Sequence, residues 1–219
     1  MTAPDEEILA AKRRARRILS EALAHLTPSD RRAASVALAE RLSAVPAVRD
    51  ARTLMAFLSL PTEISTWPII RWAWGRGKRV VVPRVEAAAG GGAGPVAGRR
   101  IVPVLLEPAD VASAGEHPAV RPGPLGILEV PGAPEVPPAE IDVVLAPCQA
   151  VDRTGRRLGK GGGFYDRFFA DPGLRARRIA IGFRDQVVDE VPVTGSDKGV
   201  DMAVTDTETL TFDGNEQAG

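Results

Sequence analysis

Apolar side chains recur with helical spacing at the start of this chain and in short continuous runs further along. Residues 5–25 carry an apolar side chain at every third or fourth position, which predicts an amphipathic helix. A second helix is predicted to begin at Thr27, which can cap its amino end, and to stop near Ala44, before Pro46. Two further helices are predicted over residues 65–76 and 164–170.

Short continuous apolar runs predict buried β-strands, because a strand covered on both faces needs no polar alternation. These runs lie at 53–58, 79–82, 101–106, 141–146, 178–183, 200–204 and 209–212. Strand, helix and strand follow one another between residues 53 and 82, which predicts a βαβ unit with a parallel strand pair. We therefore expect an α/β fold, a single-domain three-layer sandwich with a mostly parallel central sheet flanked by helices.

The segments between these elements are rich in glycine, alanine and proline. Residues 86–98 have low complexity and are predicted to form a flexible loop, and residues 214–219 a frayed tail. Residues 107–140 contain a short helical candidate at 108–114 and an extended or turn segment at 125–131. No segment is both long and apolar enough to fold alone, so residues 1–219 are expected to form one domain.

Composition excludes several classes of protein. The formal net charge of the 219 residues is zero, which argues against a general binder of polyanions. Cys148 is the single cysteine, so no intrachain disulfide can form, and its apolar surroundings in sequence predict an inert thiol. One cysteine with His25 and His117 cannot assemble a zinc site. Neither a signal peptide nor a membrane-spanning run is evident, so we expect a cytoplasmic protein without a membrane partner.

The most distinctive stretch of the chain is a glycine loop preceding the predicted helix at 164–170. Four glycines surround Lys160, and two arginines come just before them. Glycine allows backbone N–H groups to converge, and such a nest beside cations and a helix amino end binds anions, typically phosphate. The spacing matches neither the Walker A loop nor the dinucleotide fingerprint. A flexible surface loop is the alternative interpretation.

Three charged positions each allow two interpretations. Lys12 and Arg16 fall beside the apolar stripe of the first helix, where a cation either snorkels to solvent or meets a bound anion. Glu63 follows a strand, where it could contact a ligand or complement the next helix's amino end. Asp166 could cap or complement the amino end of the helix after the glycine loop, or it could coordinate a metal ion.

Residues 157–166 (Arg-Leu-Gly-Lys-Gly-Gly-Gly-Phe-Tyr-Asp) resemble the signature loop of the 5-formyltetrahydrofolate cyclo-ligase family. The resemblance extends to the basic run at 12–16 and to segments 57–64, 77–84, 126–129 and 191–197, in family order. Two departures stand out. Residues 147–152 replace a more usual turn sequence, which predicts a different backbone turn, and Gly162 occupies a position where some members carry a cation.

This resemblance implies an ATP- and Mg²⁺-dependent ligase that converts 5-formyltetrahydrofolate to 5,10-methenyltetrahydrofolate, ADP and phosphate, and we expect a monomer. It implies ATP contacts at Lys12, Arg13, Arg14, Ala15, Arg16, Arg157, Leu158, Gly159, Lys160, Gly161, Gly162, Gly163, Phe164 and Tyr165. It implies substrate contacts at Leu58, Glu63, Lys160, Gly161, Gly162, Gly163 and Phe164. By the same resemblance Asp166 and Asp197 bind Mg²⁺, and Lys160 and Tyr165 are catalytic.

Two other functions use the same features. A non-catalytic nucleotide- or RNA-binding module could use the basic helix and the glycine nest, although RNA readers usually expose aromatic side chains on a sheet. A sugar-phosphate isomerase on a similar α/β scaffold could use the nest for a single phosphate and would need no ATP. Because only 5% of the residues are aromatic and the net charge is zero, we expect no nucleic-acid partner.

Overall fold

The computed structural model of this chain describes residues 3–87, 98–108, 120–123 and 126–212. Most of the predicted 86–98 loop, the helical candidate beyond residue 108 and the 214–219 tail therefore lie outside the described residues.

Helices occupy most of the predicted positions. Their bounds are α1 Ala3–Leu23, α2 Pro28–Ala44, α3 Pro46–Asp50, α4 Trp67–Trp74 and α5 Phe164–Phe169. Thr27 caps α2 as predicted, because its Oγ1 accepts the Asp30 N–H at 3.2 Å while the Asp30 carboxylate accepts the Thr27 N–H at 2.9 Å. The short helix α3 was not predicted, since Pro46 ends one helix and then starts the next.

One large sheet organises the described residues. Seven of the strands form it in the order β12-β11-β9-β6-β1-β2-β3. The pairs from β11 to β2 are parallel and the two edge pairs are antiparallel, so the expected mostly parallel sheet is confirmed. The strand bounds are β1 Thr53–Met55, β2 Arg79–Ala87, β3 Arg99–Leu105, β4 Arg121–Pro122, β5 Leu128–Glu129, β6 Val143–Pro147, β7 Ala150–Asp152, β8 Arg157–Leu158, β9 Arg177–Gly182, β10 Val187–Val188, β11 Met202–Thr205 and β12 Thr209–Thr211.

Apolar side chains of the strands point alternately to the two faces of this sheet, and helices pack against both faces. Leu54, Val80 and Leu145 belong to a core cluster on one face that also contains apolar side chains of α2 and α4. Met55 and Val144 belong to the cluster on the other face, which contains the phenylalanines of α5. The flanking of the sheet by helices is therefore confirmed, with hydrophobic burial on both faces as its cause.

Several strand bounds differ from the prediction. β1 ends at Met55, and Leu58 leaves the large sheet to form an isolated bridge with Leu128. β2 continues through Arg84 to Ala87, because its antiparallel partner β3 leaves room for polar side chains at the sheet edge. Between β6 and the glycine loop, the chain also forms β7 and β8, which pair as an antiparallel hairpin.

The β7–β8 hairpin brings the glycine loop to the site. Asp152 is buried in its turn, where Oδ1 accepts the N–H groups of Thr154 at 2.9 Å and Arg156 at 3.1 Å. Its Oδ2 accepts the Val191 N–H at 3.0 Å, which ties the hairpin to the later segment that leads to Asp197. One carboxylate therefore holds together two of the segments that build the candidate site.

Candidate active site

The glycine loop joins β8 directly to α5. Gly161 and Gly163 have φ angles of 104° and 63°, a left-handed conformation that side chains with a Cβ adopt only at a cost. Gly163 is also the residue that precedes α5, and no side chain caps this helix. The loop therefore depends on glycine at these two positions for its backbone path.

Helix α1 places one cation against the glycine loop. Arg16 is half-buried, and its Nε donates to the Gly159 carbonyl at 2.8 Å. Burial lowers the pKa of Arg16, although the negative charge of Asp197 acts in the opposite direction. The predicted orientation of this helix is confirmed, because Lys12 and Arg16 face inward while Arg17 is exposed.

The partner of Lys12 is a carboxylate of the protein itself. The Lys12 ammonium is buried and forms an ion pair with Asp197 Oδ2, so the interpretation that Lys12 snorkels to solvent is wrong. The same oxygen accepts the Thr194 hydroxyl at 2.8 Å. Burial by itself would raise the pKa of Asp197, but the hydrogen bonds from Lys12 and Thr194 outweigh burial and leave it below its ordinary value.

Arg157 is the second buried cation of the site. It donates to the Pro147 carbonyl at 3.1 Å and to Asp166 Oδ1 at 3.0 Å. The same Asp166 oxygen accepts the Lys198 N–H at 3.2 Å. Asp166 accepts from a side chain and from a distant backbone group and does not cap α5, although its charge lies in the first turn of that helix and complements its amino end.

Two buried polar atoms of this region have no hydrogen-bond partner within the described chain, Arg157 Nε and Tyr165 Oη. The Arg157 guanidinium lies 5.6 Å from the centre of the Tyr165 ring. Burial raises the pKa of Tyr165 well above its ordinary value, although the Arg157 charge opposes that rise. Tyr165 therefore stays protonated, and its hydroxyl is free to donate to a ligand.

A second ion pair joins the glycine loop to the turn after β1. Lys160 Nζ lies 2.7 Å from Glu63 Oε1, and Glu63 Oε2 accepts the Leu60 N–H at 2.7 Å. Helix α4 begins only at Trp67 and its flanking residue is Thr66. Glu63 therefore does not complement the amino end of that helix, and the helix-end interpretation is wrong.

These elements line a cleft whose space, including the part open to solvent, is about 700 Å³. Most of the lining residues are apolar, and the charged ones form two pairs, Lys160 with Glu63 and Arg157 with Asp166. The cleft is lined by Phe57, Leu58, Leu60, Glu63, Pro83, Val85, Ile101, Ile127, Leu128, Pro147, Arg157, Gly159, Lys160, Gly162, Gly163, Phe164, Tyr165 and Asp166.

A second cavity, of about 740 Å³, lies between α1, α2 and the carboxyl ends of β6 and β9. It shares four lining residues with the cleft, namely Phe57, Glu63, Pro147 and Lys160. The ion pair of Lys160 with Glu63 therefore stands between the two cavities. A ligand in either cavity can reach one member of that pair.

Not every residue predicted for the site reaches these cavities. Arg13 and Arg14 are exposed on the outer side of α1. Ala15 and Leu158 pack into a small apolar cluster with Leu19, which fixes α1 against β8. The family resemblance implies ATP contacts at all four, and in the structure the last two have a packing position.

Most apolar lining residues were not predicted by the sequence reasoning. Val85 and Ile101 come from paired positions on β2 and β3, and Ile127 comes from the turn before β5. Nothing in an apolar strand distinguishes a residue that lines a cleft from one that fills the core. For Ile127, the resemblance of residues 126–129 to a family segment was the one sequence feature that could have indicated a place in the site.

Gln186 fixes the backbone of the segment around Cys148 by hydrogen bonds. The Gln186 Nε2 donates to the carbonyls of Cys148 at 2.7 Å and Gln149 at 3.2 Å, and its Oε1 accepts the Phe183 N–H at 2.8 Å.

Burial raises the pKa of the Cys148 thiol to about 12, so the prediction of an inert thiol is confirmed.

Within the described ranges, no three His, Cys, Asp or Glu side chains gather into a group that could hold a metal ion by themselves. Asp166 and Asp197 each have a cationic partner instead, Arg157 and Lys12. In the same part of the chain, no helix is both long and apolar enough to cross a membrane.

The statistical model of the 5-formyltetrahydrofolate cyclo-ligase family matches residues 8–206, and the chain belongs to that family. It is accordingly an enzyme of the ligase class, in folate one-carbon metabolism. Neither the non-catalytic binding module nor the sugar-phosphate isomerase agrees with this membership.

Curated relatives and a solved structure agree with the assignment. The chain is 28% identical over 181 residues to the 5-formyltetrahydrofolate cyclo-ligase of Escherichia coli K12, covering 82% of this chain and 92% of that protein. It is 31% identical over 162 residues to the Mycolicibacterium smegmatis enzyme of the same name, covering 70% and 73%. The 5,10-methenyltetrahydrofolate synthetase of Aquifex aeolicus shares the fold, with a TM-score of 0.73, 22% identity and coverage of 95% and 96%.

Proposed function

We propose that this enzyme uses ATP to close 5-formyltetrahydrofolate to 5,10-methenyltetrahydrofolate, releasing ADP and phosphate. The observation that carries the proposal is the ion pair of Lys160 with Glu63, at 2.7 Å, between an apolar cleft and a second cavity. Such a position lets one residue of the pair contact a nucleotide while the other contacts a folate. The names of the relatives supply the identity of the folate.

In this proposal the phosphates of ATP lie on the glycine loop. The loop amides, Lys160 and Arg16 supply donors and positive charge there, and the helix α5 amino end lies directly behind them. The fused ring of the folate lies in the apolar cleft, with the Glu63 carboxylate accepting hydrogen bonds from ring N–H groups. The two substrates then meet at the Lys160 end of the cleft.

The chemistry proposed is transfer of a phosphoryl group followed by ring closure. The formyl oxygen attacks the terminal phosphorus, and the bond from that phosphorus to ADP breaks. A neighbouring folate nitrogen then attacks the formyl carbon and loses its proton, and the formyl oxygen departs with the phosphoryl group as phosphate. Charge accumulates on the phosphoryl oxygens in the first step, so neutralisation by Lys160 and Arg16 is the main contribution of the protein.

Tyr165 is proposed as a hydrogen-bond donor in the same step. Its ring lines the cleft, and its buried hydroxyl has no acceptor in the described part of the chain. Since the pKa of Tyr165 is raised, the hydroxyl keeps its proton and can donate to a phosphoryl or formyl oxygen. A bound substrate would then satisfy an atom that the protein leaves unpaired.

The residues present fit a Mg²⁺ ion bound together with ATP. Mg²⁺ commonly takes one or two protein carboxylates, with waters and substrate phosphates completing its coordination, and this is the donor set that Asp166 and Asp197 can offer. Their present partners, Arg157 and Lys12, would supply positive charge close to such an ion and to the phosphates it binds. The ion would neutralise phosphate charge and orient the phosphoryl group.

The test is a steady-state assay on the purified full chain. ATP consumption is measured with and without 5-formyltetrahydrofolate, and the methenyl product is followed by its absorbance. We expect ATP loss only when the folate is present, with one product formed for each ATP. Folate-independent ATP loss, or turnover of a sugar phosphate without ATP, would overturn the proposal. A monomeric state and a cytoplasmic location remain predictions that this assay does not address.

A further inference from the structure

The cleft shares one lining residue with a third cavity, whose lining has no residue in common with the second cavity. This groove, of about 970 Å³, lies between the β3 edge and α5 and shares Ile101 with the cleft. Lys160 and Glu63, by contrast, mark the boundary that the cleft shares with the second cavity. A folate whose formyl group lies beside Lys160 would therefore direct its remaining length toward Ile101 and the groove.

We propose that Arg100 and Arg167, which line this groove, bind the carboxylates of the glutamate tail of the substrate. This inference rests on the proposed function, since the tail belongs to the folate that the cleft would hold. Tetrahydrofolate carries its glutamate, with two carboxylates, at the end opposite the fused ring. Arginine is well suited to carboxylates because its guanidinium presents parallel N–H donors.

Arg167 is fixed at the junction of the cleft and the groove. Its Nε donates to the Arg99 carbonyl at 3.1 Å, its Nη2 donates to the Gly162 carbonyl at 3.0 Å, and it stacks over the Phe164 ring. Gly163 lines the cleft, and a Cβ added to it would lie 3.0 Å from Arg167 Nη1. This nitrogen is therefore next to the wall of the cleft. Three of its five N–H donors remain for a ligand.

The carboxylates of the groove do not neutralise these arginines. Glu135 pairs with Arg84 at 2.8 Å, and Asp171 accepts the Gly173 N–H at 2.8 Å. Over the described ranges, neither Arg100 nor Arg167 forms an ion pair, and both side chains are exposed. The groove therefore presents two cations whose charge is available to an anionic ligand.

The test compares two folates that differ only in the tail, 5-formyltetrahydrofolate and the methyl ester of 5-formyltetrahydropteroate, which has neither glutamate nor a free carboxylate. Equilibrium dialysis gives the dissociation constant of each for the full chain, so the result does not depend on turnover. The measured quantity is the preference, the ratio of the pteroate constant to the folate constant. The variants are Arg100→Ala, Arg167→Ala and both together, with Arg32→Ala on the exposed side of α2 as the control.

We expect the wild-type preference to favour the glutamate form and to fall about fivefold to tenfold in each single variant, as expected for loss of one charge-assisted contact. The double variant should approach a ratio of one, and Arg32→Ala should keep the wild-type ratio. An unchanged ratio in Arg100→Ala and Arg167→Ala overturns the inference. Within the described ranges the Arg100 side chain is exposed and forms no ion pair, so Arg100→Ala is the deciding variant if Arg167→Ala is misfolded.

The failure of this inference is distinguishable from failure of the proposed function. Binding of both folates without folate-dependent ATP consumption would contradict the proposed reaction and leave the preference measurable. Folate-dependent ATP consumption with an equal preference in wild type and variants would contradict the tail site alone. Absence of binding of either folate to the wild-type chain would overturn both.

Discussion

Lys160 Nζ lies 2.7 Å from Glu63 Oε1, and this contact joins the glycine loop to the turn after β1. The cation that we assign to ATP and the carboxylate that we assign to the folate therefore neutralise each other in this structure. A ligand that draws one of the two residues away from the pair leaves the other without its partner. Binding of the two substrates is expected to be coupled for this reason.

The first prediction concerns Glu63→Gln. Without its carboxylate partner Lys160 is free to meet phosphate, so the dissociation constant of ATP should fall about threefold, as for loss of a half-exposed ion pair. Titration calorimetry in the absence of folate measures this constant. The matched control is Glu140→Gln, which removes the exposed pair with Arg79 and should leave ATP binding as in wild type. Weaker ATP binding in Glu63→Gln would contradict the prediction.

The second prediction compares two arginines of α1. Arg16→Ala should weaken ATP binding about tenfold, because it removes a cation that lies against the glycine loop. Arg17→Ala removes only an exposed pair with Glu21, at 3.5 Å, and should change ATP binding little. Both variants should unfold within a few degrees of wild type. Equal effects of the two substitutions on ATP binding would contradict the proposal that the inward side of α1 binds ATP.

The third prediction separates the structural and metal roles of Asp166. Asp166→Ala leaves the buried Arg157 without its carboxylate and should lower the free energy of unfolding by about 3 kcal/mol. Asp166→Asn keeps an oxygen that Arg157 can donate to, so its loss should be about 1 kcal/mol.

If Asp166 also binds Mg²⁺, both variants should need at least about tenfold more Mg²⁺ for half-maximal activity, because a charged ligand is lost. Denaturant unfolding and a Mg²⁺ titration of the assay measure the two effects. A wild-type Mg²⁺ requirement in Asp166→Asn would eliminate the metal role and leave the structural one.

The fourth prediction concerns pH and Asp152. Burial by itself would raise the pKa of Asp152, but hydrogen bonds from Thr154, Val191 and Arg156 outweigh it and leave the pKa below its ordinary value of 3.8. A carboxyl with a lower pKa in the folded chain stabilises the fold above its unfolded pKa. That stability is lost as the pH falls through the folded pKa.

The free energy of unfolding should therefore decline as the pH drops below about 4, and Asp152→Asn should reduce the slope of that decline. Urea unfolding at several pH values measures it. The exposed Asp189 provides a control, since Asp189→Asn should keep the wild-type slope. Equal slopes for Asp152→Asn and wild type would show that Asp152 does not contribute.

The fifth prediction uses the single cysteine as a reporter of unfolding. Because the pKa of Cys148 is about 12 and the side chain is buried, a thiol reagent at neutral pH should label the native chain only as it opens. The labelling rate should rise with denaturant in parallel with global unfolding. A Cys148→Ser variant that also carries Ser29→Cys supplies the rate of an exposed thiol. Rapid labelling of the native wild-type chain would be inconsistent with this picture.

Apolar spacing along the chain determined the elements and one important orientation. The period of α1 placed Lys12 and Arg16 inward and Arg17 outward, because a helix repeats every 3.6 residues and neighbouring side chains lie on known faces. The short apolar runs likewise predicted the parallel strands. The runs did not predict the end of β1, since a run of apolar residues does not show where the chain leaves the sheet.

Only the tertiary structure decided which charges meet. Asp197 lies 185 residues from Lys12 in the sequence, and nothing local to either residue indicates that one is the other's partner. The structure overturned the helix-end interpretation of Glu63, and it showed that Asp166 lies in the first turn of α5 without capping it. The Glu63 and Asp166 carboxylates form ion pairs with Lys160 and Arg157, which lie on other elements. Spacing along a chain encodes local conformation, whereas the partner of a charge depends on how distant elements pack together.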